Sequence, residues 1–291
     1  MQYVIFGASG YIGSYLYQRL KEEGKKVLGT KSSGVGSSFI SFDILTDSVL
    51  TVTSQVKDDK KTAIVCIARP NINDCYENYD DAYAINVTKT KELIQTLTEM
   101  GYYVIFFSTD NVFDGKKGNY TEEDETNAIN KYGMMKAEME KFLSASEPEV
   151  CIFRISKAVG TGTETKNILS ELDEMARGGI VRCIKGNRLS FTAMEDIYQA
   201  CLIASREKLR GIYNIAGDEA FSRAELAGKF FCRMKNDSVS IIECGLEEFN
   251  LNDGRPLDIS MSNLKFKQKT GYQFISMDTV IDRYMKNRNK I

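Results

Sequence analysis

The chain begins with a short apolar run, Tyr3-Val4-Ile5-Phe6, that passes directly into glycines at three-residue spacing: Gly7, Gly10 and Gly13. That order leaves few folds open. A buried parallel strand ends, the chain turns sharply, and a helix starts with its unpaired backbone N–H groups over the strand end. Glycine permits the turn, the close approach of a pyrophosphate, and the packing of helix on strand. GxxGxxG is a variant of the dinucleotide fingerprint. Its place between a strand and a helical pattern points to a bound nucleotide rather than a mere turn.

Composition sets the outer bounds. At 291 residues and 43% hydrophobic, the chain can bury a large core, as one α/β domain or a domain with a smaller lobe. With 38 Lys and Arg against 40 Asp and Glu, it carries no basic footprint for nucleic acid. The first apolar run is too short for a secretory leader, and no stretch reaches the length of a membrane span. The seven cysteines are scattered singly, without a CxxC pair, and read as reduced thiols of a cytoplasmic protein. The sequence contains no histidine. That excludes Ser-His-Asp chemistry, Cys-His nucleophiles and His-ligated zinc. Any acid–base catalyst must be Tyr, Lys, Asp, Glu or Cys.

Strand-like and helix-like patterns alternate through the first half. Strands are expected over 2–6, 26–29, 39–42, 62–67, 102–107 and 149–155, and helices over 11–23, 47–56, 79–100 and 131–144. The alternation predicts a Rossmann-type doubly wound parallel sheet, with right-handed crossovers placing helices on both faces. Beyond 159 the units shorten: helices over 166–176, 195–206, 223–234 and 278–287, strands over 181–184, 211–215 and 239–242. Residues 1–159 are therefore expected to form the dinucleotide-binding domain. Residues 160–291 are expected to form mainly a smaller, discontinuous α/β substrate lobe, partly returning to the main domain, over the carboxyl ends of the strands.

Two further features carry chemistry. Tyr132 and Lys136 stand four apart, so on a helix they share one face. A phenol, with an ordinary pKa of about 10, is a poor proton donor near neutrality, and a neighbouring ammonium is expected to pull that value down. The run Phe106-Phe107-Ser108-Thr109-Asp110 ends a strand at the edge where α/β sheets place active sites, and the Thr109 hydroxyl is placed to hydrogen-bond a substrate carbonyl.

In this order, the glycine triplet, Asn86-Val87, the Ser108-Thr109 strand end and the Tyr132-x-x-x-Lys136 helix resemble the extended short-chain dehydrogenase/reductase family. Within it, the chain is most similar to the dTDP-4-dehydrorhamnose reductases. Ser108-Thr109-Asp110-Asn111-Val112-Phe113-Asp114-Gly115 matches their STDYVFDG-like run with Asn111 in place of tyrosine. Arg255-Pro256-Leu257-Asp258-Ile259-Ser260 and Gly211-Ile212-Tyr213-Asn214-Ile215-Ala216-Gly217 are similar to their later segments. The resemblance implies that Tyr132 is the general acid protonating a keto oxygen as hydride reaches its carbon. Lys136 would lower the phenol pKa and hold the nicotinamide ribose, and Thr109 would orient the carbonyl. It implies cofactor contacts at Gly7, Ser9, Gly10, Tyr11, Ile12, Gly13, Ala68, Tyr132 and Lys136, with Asp43 near the adenine. Substrate contacts fall on Asp110, Asn111, Val112 and Arg255. A sugar nucleotide is the implied substrate, a homodimer the implied assembly. No carboxylate cluster supports a metal. Two departures stand out. The subgroup's tryptophan after Arg154 is replaced by Ser156-Lys157, and the prolines that often stand just before the Tyr-x-x-x-Lys helix are absent, with Glu125-Thr126-Asn127-Ala128-Ile129-Asn130 in their place.

Cofactor choice follows from the end of the second strand. An NAD enzyme usually places a carboxylate there for the ribose 2′-hydroxyl. Here the sequence reads Gly29-Thr30-Lys31-Ser32-Ser33-Gly34. Lys31, Ser32 and Ser33 suit a 2′-phosphate, so NADPH is expected, with NADH as the alternative. The leading expectation is an NADPH-dependent reductase of a nucleotide-linked 4-keto-6-deoxy sugar, serving deoxysugar and cell-surface polysaccharide synthesis. An epimerase or dehydratase of the same fold is the second reading, although Asn111 stands where dehydratases carry a second carboxylate. A third is a non-catalytic NADP-binding regulatory subunit similar to that of methionine adenosyltransferase, against which the intact Tyr132 and Lys136 argue.

Overall fold

The computed structural model describes residues 1–32, 38–147, 149–162 and 167–288. Its strands are β1 (Gln2–Phe6), β2 (Lys26–Lys31), β3 (Ile40–Ser41), β4 (Lys61–Val65), β5 (Tyr103–Thr109), β6 (Cys151–Ile155), β7 (Ala158–Val159), β8 (Ile180–Ile184), β9 (Thr192–Ala193), β10 (Gly211–Ile215) and β11 (Ser240–Cys244). Seven of them form one sheet in the order β10-β6-β5-β4-β1-β2-β3, with every pairing parallel. The chain first builds outward from β1 through β2 and β3, then crosses back to β4 and builds the other way. The crevice between β1 and β4 is therefore the topological switch point, where open α/β sheets hold ligands.

Burial on both faces explains the sequence of the strands. All residues of β1, β5 and β6 are buried, so these segments read as continuous apolar runs rather than alternating ones. Tyr3 and Ile5 join Leu16, Phe107, Phe153 and Ile197 on one face, while Val4 and Phe6 join Leu93, Ile94, Val104 and Met139 on the other. β8 and β11 pair in parallel beside a third core built around Leu169, Phe191, Leu226 and Phe230. After residue 159 the chain contributes to both layers. β10 extends the main sheet beside β6, and the helix Met194–Glu207 packs onto Tyr11–Glu22 and β5.

Three local differences from expectation have physical causes. The helix expected over 47–56 shrinks to Leu50–Thr53, because the Asp43 and Ser48 side chains accept the Leu45 and Leu50 N–H groups and hold turns there. The helix expected over 79–100 is broken by a π segment, Ala84–Lys89, flanked by Tyr79–Tyr83 and Thr90–Glu99. Two further helices, Ile72–Glu77 and Leu264–Thr270, fall where none was expected; both are too short to show an amphipathic period. Among the described residues no helix is long and apolar enough to cross a membrane.

Candidate active site

The first wall of the site is the glycine turn. Gly7 takes a positive φ of 86°, and its N–H donates to the Thr30 hydroxyl at 3.0 Å. A Cβ at Gly13 would lie 2.2 Å from the Gly7 carbonyl oxygen, so only glycine lets the helix Tyr11–Glu22 approach β1. Gly10 differs, because a Cβ there would meet no neighbour nearer than 3.4 Å. Its space lies over the helix N-terminus, which has no side-chain cap and so leaves first-turn N–H groups for an anion. The Tyr11 hydroxyl accepts the Gly160 N–H at 2.8 Å, and burial pushes its phenol up to about 12.

From Gly10–Gly13 a cleft of about 860 Å³ runs past Cys66–Ala68 to Thr109, Tyr132 and Lys136, then on to Lys157, Arg182 and Arg223 in the second layer. Its floor beside β4 is braced from the π segment. The buried Asn86 side chain accepts the Arg69 N–H at 2.8 Å and donates to the Arg69 carbonyl at 3.1 Å.

The helix Lys131–Ser146 forms the opposite wall. Asn130 caps it, accepting the Gly133 N–H at 2.8 Å, and the Asp253 carboxylate accepts the Lys131 N–H at 2.7 Å. Both Tyr132 and Lys136 line the cleft, one helical turn apart. Lys136 donates to the Phe107 carbonyl at 2.8 Å and lies 4.4 Å from the centre of the Phe106 ring. Burial pulls its ammonium down to about 8, against the opposing pull of Cys66 and Glu140. Burial likewise pushes the Tyr132 phenol up. The Asp110 charge adds to that rise, and a hydrogen bond with Thr109 works against it. The phenol thus lies above its ordinary value, not below it as expected from Lys136. The ammonium is turned onto Phe107, and the phenol is held firmly in its protonated form.

Thr109 closes β5 and caps the short turn Asp110–Val112. Its oxygen accepts the Asn111 N–H at 3.2 Å and the Asn111 amide at 3.3 Å, while its hydroxyl donates to Asp110 at 3.1 Å. The Asp110 carboxylate also receives the Ser156 hydroxyl at 2.8 Å, and burial pushes it up to about 6. Beneath this layer, Glu140 accepts the Ser108 hydroxyl and a forked pair of bonds from Arg154, at 3.0 Å from Nε and 2.7 Å from Nη2.

Gly10, Tyr11, Ile12, Gly13, Ala68, Thr109, Asp110, Asn111, Tyr132, Lys136 and Arg255 thus share the cleft. Gly7 and Ser9 just past β1, Lys31 and Ser32 at the end of β2, and Asp43 just past β3 lie outside its lining. Lys31 is 8% exposed at the end of β2; the Asp43 carboxylate accepts the Leu45 N–H; Ser33 is outside the described residues. Val112 is fully buried in the third core and does not reach the cleft. Arg255 donates to Asn73 at 2.5 Å and to the Asp253 carbonyl at 3.0 Å. Sequence reasoning missed Lys157, Arg182, Asn187 and Arg223. The last had a readable signal: Ser222 and Glu225 form a capping box that sets Arg223 at the first position of its helix.

The parallel sheet, the glycine turn and a Thr-Tyr-Lys wall define a nucleotide-binding α/β protein of the extended short-chain dehydrogenase/reductase type. The chain belongs to the RmlD substrate-binding domain family, whose model matches residues 1–289. Among solved structures, it is similar to a dTDP-4-dehydrorhamnose reductase from Clostridium acetobutylicum, with a TM-score of 0.86 and 26% identity over 99% of this chain and 100% of that one. A dTDP-4-dehydrorhamnose reductase from Mycobacterium tuberculosis is 29% identical over 227 residues, 76% of this chain and 71% of that one. The methionine adenosyltransferase 2 subunit beta of Bos taurus is 28% identical over 233 residues, 77% of this chain and 69% of that one.

Proposed function

We propose that this protein is an NADPH-dependent reductase of a nucleotide-linked 4-keto-6-deoxy sugar, similar to the proteins named dTDP-4-dehydrorhamnose reductase. One observation carries the reading: Thr109, Tyr132 and Lys136 line a cleft whose other end is the Gly10–Gly13 turn. The residues fit a dinucleotide, because Gly10 is open over uncapped helical N–H groups and the end of β2 carries no carboxylate. Bound NADPH would supply the hydride. The N–H groups at Gly10–Gly13 would hold its pyrophosphate, Ala68 would border it, and Lys136 would hold the nicotinamide ribose. Lys31 and Ser32 would meet the 2′-phosphate and Asp43 the adenine side.

Tyr132 gives its proton to the keto oxygen. The phenol carries its proton at neutral pH; burial and the Asp110 charge raise its pKa and so work against the transfer, which the aligned carbonyl must offset. Thr109, at the end of β5, and Asn111, in the turn that follows, orient the carbonyl, and Arg255 borders the sugar nucleotide. Alignment of ketone and phenol within hydrogen-bonding reach supplies much of the rate. The free cysteines among the described residues fit a cytoplasmic setting, and a homodimer is the assembly the resemblance implies.

The test is purified protein with NADPH and a panel of dTDP-, UDP- and GDP-linked 4-keto sugars, followed at the nicotinamide absorbance. Oxidation on one substrate supports the reductase. Conversion without net oxidation replaces it with an epimerase. Tight NADPH binding without turnover favours the regulatory reading that the methionine adenosyltransferase relative represents.

A further inference from the structure

The Thr109 hydroxyl has one proton and too many claims on it. Asn111 fills its acceptor side from the backbone at 3.2 Å and from the side-chain amide at 3.3 Å, and the proton itself points at Asp110 Oδ1, 3.1 Å away. A carbonyl in the cleft needs that same proton. The competitor is a carboxyl group only 3% exposed. It has donors on both oxygens, Asn111 at 2.9 Å and Thr109 on Oδ1 and Ser156 at 2.8 Å on Oδ2, but no ion pair among the described residues. A buried carboxylate held by neutral donors alone is costly to ionise. The charged or titratable groups that face it are Tyr132, from the helix Lys131–Ser146, and Lys157, just past β6; Thr109, Asn111 and Ser156 are neutral.

We propose that Asp110 is a positioning residue acting through Thr109: ionised, it holds the Thr109 proton; protonated, it releases that hydroxyl to the keto oxygen. The proposal rests on the reductase reading above for its consequence, though not for the hydrogen bond itself. No proton leaves Asp110 during turnover. Hydride goes to the carbon, the Tyr132 proton goes to the oxygen, and Thr109 only changes the direction of its donation. Removing the Asp110 charge also eases formation of the phenolate left on Tyr132, because the two charges repel. Both effects have one sign, so reduction is faster with Asp110 neutral. The midpoint lies near its value of about 6.

The first measurement needs no turnover. In protein labelled with 13C at the aspartate carboxyls, the resonance lost in Asp110→Asn identifies Asp110, and its titration midpoint is read. Thr109→Val removes a donor to the ionised form, and the midpoint rises by about one pH unit. Thr109→Ser keeps the donor and restores it. An unmoved midpoint in Thr109→Val overturns the proposal. The second measurement is the pH profile of kcat/KM. The wild-type protein loses activity, up to tenfold per pH unit, as pH rises through the Asp110 midpoint. Thr109→Ser keeps that step and Asp110→Asn abolishes it. A step that survives in Asp110→Asn also overturns the proposal. A shifted midpoint in a protein that reduces no keto sugar upholds the Thr109–Asp110 coupling and overturns the reductase reading.

Discussion

Gly133 lies directly over Asn111: a Cβ at 133 would sit 2.0 Å from the Asn111 carbonyl oxygen. This contact fixes the distance between the helix that carries Tyr132 and Lys136 and the strand end that carries Thr109. Alanine raises intrinsic helix propensity by about 1 kcal/mol, so Gly133→Ala pits local preference against this approach. The helix must back away, and Tyr132 moves with it. Misplacement of a reacting group by about 1 Å costs roughly a hundredfold in rate. We expect kcat with the best keto-sugar substrate to fall at least tenfold, with NADPH affinity, set at the glycine turn, little changed. Unaltered kcat in Gly133→Ala removes this contact from the assembly of the site.

Tyr132→Phe tests the acid directly. Loss of a positioned proton donor costs about 10²- to 10⁴-fold. The ring still fills its place in the cleft wall, so nicotinamide cofactor binding is expected to persist within a few-fold. Stopped-flow reduction and NADPH fluorescence titration separate the two effects. A fully active variant assigns the proton to another group.

Lys31→Glu tests cofactor choice. Lys31 ends β2, beside the turn that should hold the adenosine ribose. A carboxylate there repels a 2′-phosphate and accepts from a 2′-hydroxyl. NADPH affinity should drop tenfold or more while NADH affinity holds or improves. Equal losses for both cofactors would remove Lys31 from the phosphate site.

The main sheet was legible because its strands are buried on both faces. β1 was read at its observed limits, and the expected ends of β5 and β6 fall within two residues of those found. Thr109, Tyr132 and Lys136 were legible for another reason: their order along the chain follows the order of strand ends in a doubly wound sheet. What stayed hidden depends on long-range contact. Asp110 reads as a substrate contact, and its bond from Ser156, 46 positions later, at 2.8 Å is invisible in the sequence. Val112 reads as a substrate contact, yet the third core buries it. Lys136 reads as a partner of the phenol, and its ammonium donates to the Phe107 carbonyl instead.

Glu140 and Arg154 form the one ion pair among the described residues in which both side chains are almost wholly buried, at 3% and 2% exposure. Removing one partner leaves the other charged, buried and unpaired, at a cost of about 3–5 kcal/mol. Glu140→Ala or Arg154→Ala should lower stability by that order in urea unfolding. The paired change Glu140→Leu with Arg154→Met should recover most of the loss, because the desolvation penalty goes with the charges. If the double variant is as unstable as the singles, the pair is needed for more than charge balance, and Ser108, the third member of the cluster, is the place to look.

Lys136 gives the molecule an alkaline signature. Its ammonium is pulled from the ordinary 10.5 down to about 8 by burial. The unfolded chain therefore holds the proton more tightly, and between pH 8 and about 10.5 it binds more protons than the folded one. Stability must rise with pH across that window: the cost of a buried ammonium is carried in full below pH 8 and is relieved as the folded protein sheds the proton. The whole effect is on the order of 3 kcal/mol. Turnover is expected to run the other way, since a neutral amine holds the nicotinamide ribose, which we propose Lys136 meets, less firmly. Lys136→Met keeps an apolar chain over Phe106 and removes the titration. Relative to that variant, the wild-type protein should gain stability from pH 8 to 10 in urea unfolding while its own kcat declines over the same range. If the two stability curves stay parallel, Lys136 titrates at an ordinary value and its burial is compensated.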